Sequence, residues 1–189
     1  MSASPKAVRS GGPPAKAGQA AASQPPEPPI HGRAAFDEGL QAEWLRAGRE
    51  QEPLALLLIE VDHFTAYARK AGAAAAEDSL QQIAAALMQA VFRPTDLVAR
   101  YAEAQFAIVL PTHEAGARVV AARVRHAVNG LSLPHRAGEG GIVTVSIGVA
   151  ALTPAPEQSA AGLVTLAEDA LAQARRIGHD CIVSQDWIA

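Results

Sequence analysis

Glu60 and Asp62 stand two residues apart at the end of an apolar run, Leu-Ala-Leu-Leu-Leu-Ile-Glu-Val-Asp over 54–62. A hard divalent cation takes oxygen ligands, preferably anionic ones. The plainer role for such a pair is as strand-end carboxylates, solvated or paired with a nearby Arg. Farther along, Arg93-Pro94-Thr95-Asp96 sets a fork of donors three residues from an acceptor carboxylate. With 13 Arg and 7 Asp in 189 residues, chance alone supplies about 0.5 such spacings per chain, so only its position can make it informative. Directly after it, two apolar runs, 97–101 and 106–110, flank Ala102-Glu103-Ala104-Gln105, the spacing of a β-hairpin. That tip lacks the Gly, Asn or Asp that tight hairpin turns use to take positive φ cheaply. Other chemistries find little support. His31, His63, His113, His126, His135 and His179 are scattered without metal-ligand spacing, and no Ser-His-Asp arrangement is suggested. Gly138-Glu-Gly-Gly141 is a loop before a strand, not a phosphate cradle opening a helix.

The elements that would position these residues follow from periodicity. Phe36, Leu40, Trp44 and Ala47 repeat at helical spacing, which predicts an amphipathic helix over 34–48. Residues 54–61 predict a buried strand. Leu80, Ile83, Leu87, Met88 and Val91 line one face of a second helix, with Glu77 and Asp78 near its positive end. A hairpin over 97–110 follows, then a third helix over 114–129 from Val119, Val124 and Val128. The alternation Val143-Thr-Val145-Ser-Ile147-Gly-Val149 predicts a half-buried strand. Leu163, Leu166, Ala170, Leu171, Ala174 and Ile177 mark a last helix closed by Gly178, and 181–183 a short final strand. Strands and helices alternate, yet one pair is a hairpin. The fold class is therefore α/β, an α+β sandwich with a mixed sheet and helices packed on its faces.

Composition narrows the function classes. Residues 1–31 are rich in Pro and Ala and contain no aromatic residue, which predicts a disordered tail with polyproline character at 25–29. The folded domain is expected over 32–184, with a short tail at 185–189. An apolar content of 49% supplies a core, and a net charge of -3 argues against a DNA-binding role. Cys181 is the one cysteine, so a reducing, cytoplasmic setting is expected. No apolar run approaches the roughly 20 residues of a membrane helix, so no membrane partner is expected.

The dispersed wording of 32–184 resembles the GGDEF domain of diguanylate cyclases. Ala35-Phe36-Asp37-Glu38 is similar to the start of that family's first helix, and 56–64 to its Asp-Ile-Asp-x-Phe strand. The approach 93–101 is similar to the lead-in to the signature, 143–150 to the usual closing strand, and 167–178 to the last helix with its Gly. The resemblance implies a nucleotidyl-cyclase palm, a sheet of about five strands surrounded by helices. It also implies the family chemistry: two GTP joined into cyclic di-GMP across a head-to-head dimer, each subunit holding one GTP with two divalent metal ions.

Set against that pattern, the chain resembles a degenerate member. Arg100, Tyr101 and Phe106 of the signature remain, but its two glycines are Ala102 and Glu103. Its metal-binding acid is Ala104, and its following Glu is Gln105. Glu60 aligns with the strand's metal-binding Asp, one methylene longer, and Asp62 with the second acid; both are vestigial. The guanine-pocket Asn aligns with Ala68, and the Asp after it with Glu77. The closing helix's phosphate-contacting Lys aligns with Arg175, and the Arg after its Gly with His179. Of the early Leu-Thr-x-Leu-x-Asn-Arg stretch only Arg33 matches. Many relatives carry an inhibitory site Arg-x-x-Asp, five residues before the signature, that binds cyclic di-GMP. Arg93 and Asp96 match its spacing, Arg123 its further Arg, and Arg46 the Arg that a second subunit contributes. The expectation is a catalytically inactive domain, without cofactor, that binds cyclic di-GMP through Arg93, Asp96, Arg123 and Arg46. Arg suits guanine O6 and N7, and Asp the guanine N1 and N2 hydrogens. A dead domain used as an interaction module, toward another signalling protein or a second copy, is the alternative. A weak Mg²⁺-dependent cyclase using Glu60, Asp62 and Arg175 is the third.

Overall fold

The central strand follows directly from the apolar run. Leu54–Val61 forms β1, with every residue buried except the half-buried Glu60, so both faces of the strand are covered. The computed structural model describes residues 30–91, 93–135 and 138–186. The expected N-terminal tail, apart from Ile30 and His31, and residues 187–189 of the expected C-terminal tail lie outside them.

Arg33–Glu50 forms α1, Phe64–Ala71 α2, Ala73–Ala90 α3, Leu97–Ala102 β2, Gln105–Leu110 β3, Glu114–Gly130 α4, Val145–Leu152 β4, Ala160–Ile177 α5 and Ile182–Asp186 β5. The strands lie in one sheet in the order β2-β3-β1-β4-β5. All pairs are antiparallel except β4 with β5, which α5 connects as a parallel crossover. This is the expected mixed five-stranded α/β sheet with helices on its faces.

Two apolar clusters sandwich the sheet. On one side Leu57, Ile59, Phe106, Ile108, Ile147 and Val149 meet Leu80, Ile83 and Leu87 of α3 and Val124 and Val128 of α4. On the other, Leu54, Leu56, Leu58 and Val109 meet Phe36, Leu40 and Trp44 of α1 and Leu163 and Leu171 of α5. The alternating strand thus differs from its expectation: β4 is buried on both faces over its first six residues. Its Ser146, Gly148 and Ala150 alternate with large residues because α5 comes close. A β-carbon on Gly148 would lie 2.3 Å from the Ala167 carbonyl oxygen and 2.4 Å from the Leu171 nitrogen. What reads as a polar, solvent-facing period is a period of small residues.

Three further differences bear on the site. The strand end runs into an additional helix, α2, whose N-cap His63 sits in the left-handed region at φ 54°. Gly72, at φ 87°, separates α2 from α3. Because α3 begins at Ala73, its first turn is all Ala, and Glu77 and Asp78 lie beyond it rather than at its positive end. At the other end of the fold His31, on the tail side of the expected boundary, pairs in parallel with β2. Its amide donates to the Val98 carbonyl and its carbonyl accepts from the Arg100 amide. Arg33 then lies over the Tyr101 ring at 4.0 Å, and Phe36 meets that ring edge-on at 5.2 Å. No helix among the described residues is long and apolar enough to cross a membrane.

Candidate functional site: the hairpin pocket and the Arg93 groove

β2 and β3 close through a two-residue connection, Glu103-Ala104, with neither residue at positive φ. The β2–β3 register slips between Arg100 and Ala102. The tip is tied back to the sheet by the Val61 amide, which donates to the Ala104 carbonyl at 3.0 Å. A pocket of about 540 Å³ opens between this tip, the end of β1 and α2, lined by Glu60, His63, Thr65, Arg69, Glu103 and Gln105 among others.

Glu60 faces that pocket but is already engaged. Arg175, from the last turn of α5, donates Nη1 to its two oxygens at 3.1 and 2.9 Å. Gln105, opposite Glu60 in the β1–β3 register, donates Nε2 to its Oε2. Asp62 does not face the pocket as a ligand. It is 2% exposed and accepts four hydrogen bonds, from Thr144 Oγ1 and Ser146 Oγ at 2.7 Å each, the Asp180 amide at 3.0 Å and His179 Nδ1 at 3.1 Å. The His179 ring in turn meets that of His63 at 4.3 Å, and His63 lies 6.5 Å from His135. Burial pushes the His135 imidazole below its ordinary range. Among the described residues, no group of three or more His, Cys, Asp or Glu is disposed to hold a metal ion.

The donor set therefore does not suit the divalent cations that the resemblance implies. Ala104 offers no side-chain oxygen, Gln105 turns a donor toward Glu60, and Arg175 presents a positive charge to the same carboxylate. Elsewhere around the tip, Arg100 pairs with Glu77 of α3 and holds its carboxyl below the usual range, while also donating to the Glu103 carbonyl. Ala68, which the resemblance aligns with the guanine pocket, packs partly buried against the core.

The second set of expected residues does come together. Asp96 donates its amide to the Arg93 carbonyl at 3.0 Å, a turn with Pro94 at the position whose fixed φ suits it. The Asp96 carboxylate accepts the Arg93 amide in return at 3.3 Å. The Arg-x-x-Asp spacing is thus the spacing of one turn, which holds both side chains at the entrance to β2. Arg93 is exposed, and Asp96 and Arg123 are half-buried. All three line one groove of about 350 Å³, floored by Leu110, Pro111 and Gly116. Arg123 reaches it from α4.

Arg46 is not among the groove-lining residues. It lies on α1 between three carboxylates, donating to Glu43 and Glu52 at 2.9 Å each and to Glu50, and these hold it more firmly protonated. Sequence reading missed two features of the site: Arg175 as a partner of Glu60, and His179 as a partner of Asp62. The partners lie 115 and 117 residues apart in the chain, so no local spacing could signal them.

Residues 29–181 match the family model described as "Diguanylate cyclase, GGDEF domain". The chain is 31% identical over 150 residues to Diguanylate cyclase DgcP of Pseudomonas aeruginosa, covering 78% of this chain and 22% of that protein. It thus spans about a fifth of that relative's length. Among solved structures, the GGDEF domain of DgcB from Caulobacter crescentus in complex with cyclic di-GMP superposes with a TM-score of 0.74 at 21% identity, over 88% of this chain and 97% of that one. Diguanylate cyclase SiaD of Pseudomonas aeruginosa, in complex with its activator SiaC, superposes with a TM-score of 0.72 at 26% identity, over 82% of this chain and 59% of that one.

Proposed function

The chain belongs to the diguanylate cyclase GGDEF family, and within it we propose a member that no longer synthesises cyclic di-GMP but binds it as a receptor. The observation that carries this reading is the groove shared by Arg93, Asp96 and Arg123. A guanidinium fork matches the O6 and N7 acceptors of guanine, and a carboxylate accepts from its N1 and N2 hydrogens. The turn fixes the backbone of Arg93 and Asp96 side by side before any ligand arrives, which lowers the ordering cost of binding. Arg46 of a second copy would have to leave its three glutamates to join, so the site is assigned to Arg93, Asp96 and Arg123 alone.

The loss of synthesis rests on the other pocket. Phosphoryl transfer between nucleotides depends on cations that neutralise the phosphates and on backbone that approaches them closely. Here β-carbons stand at Ala102 and Glu103, the Glu103 carboxylate lines the pocket and would repel a phosphate, Ala104 offers no carboxylate, and Glu60 is paired from within by Arg175.

Calorimetric titration with cyclic di-GMP tests the receptor reading. The wild-type chain binds, and Arg93→Ala weakens binding roughly 10- to 150-fold, the worth of one hydrogen bond to a charged group. Absence of heat with the wild type overturns the reading. It would favour the nucleotide-free interaction module, for which Val119, 60% exposed on α4 at the rim of the groove, is the motivating surface. Incubation with GTP and Mg²⁺ or Mn²⁺ yields no cyclic dinucleotide; steady product formation refutes the loss of synthesis.

A further inference from the structure

We propose that Arg175 and Gln105 act as a built-in replacement for the metal: a cation and an amide donor from the chain itself that latch the hairpin tip to the end of β1 and to α5. The inference deepens the inactive reading of the pocket, and rests on the family assignment for what the pocket once held.

Three observations support it. Glu60 is the acid left at the family's metal-binding position on β1, and both of its oxygens are taken by Arg175 at 2.9–3.1 Å, the reach of a direct ion pair. The Gln105 amide then donates to the oxygen that Arg175 approaches more closely. Finally, the two donors come from different elements, the first residue of β3 and the last turn of α5, so the carboxylate joins three parts of the fold. A divalent cation seeking Glu60 would sit within a few ångströms of the Arg175 guanidinium and be repelled by it. Ala104, at the position of the family's second metal acid, offers it no side-chain oxygen. Glu to Gln at 105 and acid to Ala at 104 are thus one change in effect: they turn a cluster of carboxylates that needs external positive charge into a pair that supplies its own.

The other flank of the tip is fastened in the same way. Arg100 bridges Glu77 of α3 and the Glu103 carbonyl. Held on both sides by internal charges, the hairpin keeps one geometry without nucleotide or metal. Strand β2 therefore presents the Arg93–Asp96 turn on a fixed base.

The test uses the full chain and two readouts other than activity. Hydrogen exchange of the segment 102–105 and of the Val61 amide, which donates to Ala104, quickens about tenfold in Arg175→Met and much less in Arg175→Lys. Unchanged exchange in Arg175→Met overturns the latch. Mn²⁺, followed by its electron paramagnetic resonance signal and by the thermal midpoint, neither binds at this pocket nor stabilises the wild type. The double variant Arg175→Met with Gln105→Glu, which restores a second carboxylate and removes the internal cation, gains Mn²⁺ binding and a raised midpoint. Mn²⁺ bound by the wild type and released by Glu60→Gln also overturns the proposal. If the double variant does not fold, the exchange measurement on Arg175→Met decides alone. A wild type that makes no cyclic dinucleotide yet shows no latch leaves the inactive reading standing and removes only this inference; one that makes product removes the inactive reading whatever the exchange shows.

Discussion

Asp62 to Ala should cost about 3–5 kcal/mol of folding stability, while Asp62 to Asn should cost only about 1–2 kcal/mol. The difference follows from what each substitution leaves behind. Asp62 is 2% exposed, Thr144 4% and Ser146 0%, so no water replaces the acceptor that the two hydroxyls would lose. Alanine strands two buried hydroxyls, and takes the partner from the part-buried Asp180 amide and His179 ring; each buried donor left without a partner costs roughly 1–3 kcal/mol. Part of that is offset, because a buried carboxylate no longer has to be kept from water. Asparagine keeps the shape. With its oxygen toward Thr144 and the Asp180 amide, its NH2 group faces Ser146 and His179. The Ser146 hydroxyl can rotate to accept, and a neutral imidazole can present Nδ1 as an acceptor by changing tautomer. The fixed Asp180 N–H, which could not adapt, keeps its acceptor. Equilibrium urea denaturation of the three proteins at neutral pH reads the two differences directly. Equal losses for Asn and Ala, or a loss below about 1 kcal/mol for Ala, would show that Asp62 is not the hub of this end of the sheet.

Other outcomes follow from the same geometry. Gly148→Ala forces a β-carbon into the backbone of α5 and should cost about 3 kcal/mol or more, seen as a lower thermal midpoint. His135 has its folded pKa below its unfolded value, so the fold prefers it neutral. Its contribution is complete above the unfolded value of about 6.5 and is lost as pH falls below that toward the folded value. The wild-type denaturation midpoint therefore declines through pH 6, before the carboxylates titrate, and His135→Gln flattens that slope. Arg123→Ala weakens cyclic di-GMP as Arg93→Ala does, without changing the circular dichroism spectrum. Removing divalent cations with EDTA leaves cyclic di-GMP affinity unchanged; a cation requirement would tie the groove to the metal chemistry that the hairpin pocket lacks.

How far the sequence spoke depended on whether the signal was local. The hairpin was legible from its two apolar runs even though the tip lacked turn residues, because β2 and β3 needed only a slip at Arg100–Ala102 to close. Helix α2 was not legible: it opens on a histidine at positive φ, which no composition rule flags, and is eight residues long. The alternation in β4 was read as solvent exposure because Ser and Gly look polar or neutral on paper. Only the approach of α5 shows that they are there for their size. Of the site, the Arg93–Asp96 pair was visible because it is one turn, and Arg123 only through the resemblance. The Arg175–Glu60 and His179–Asp62 pairs join the end of α5 to a strand end that it meets only when the sheet assembles, so the resemblance could group these residues but no local spacing could pair them.

The short pairing of His31 with β2 has a consequence for how this molecule behaves among its own copies. An outermost strand is a template, its unpaired amides and carbonyls open to any extended segment that matches their spacing. In the middle of β2 the Val98 carbonyl and the Arg100 amide are taken by His31. A foreign strand approaching that edge has to displace His31 first, and with it the start of α1, where Arg33 and Phe36 grip Tyr101. Keeping the edge private and docking the first helix are therefore one event, and a substitution that loosens α1 should appear as a tendency to aggregate before it appears as a loss of secondary structure.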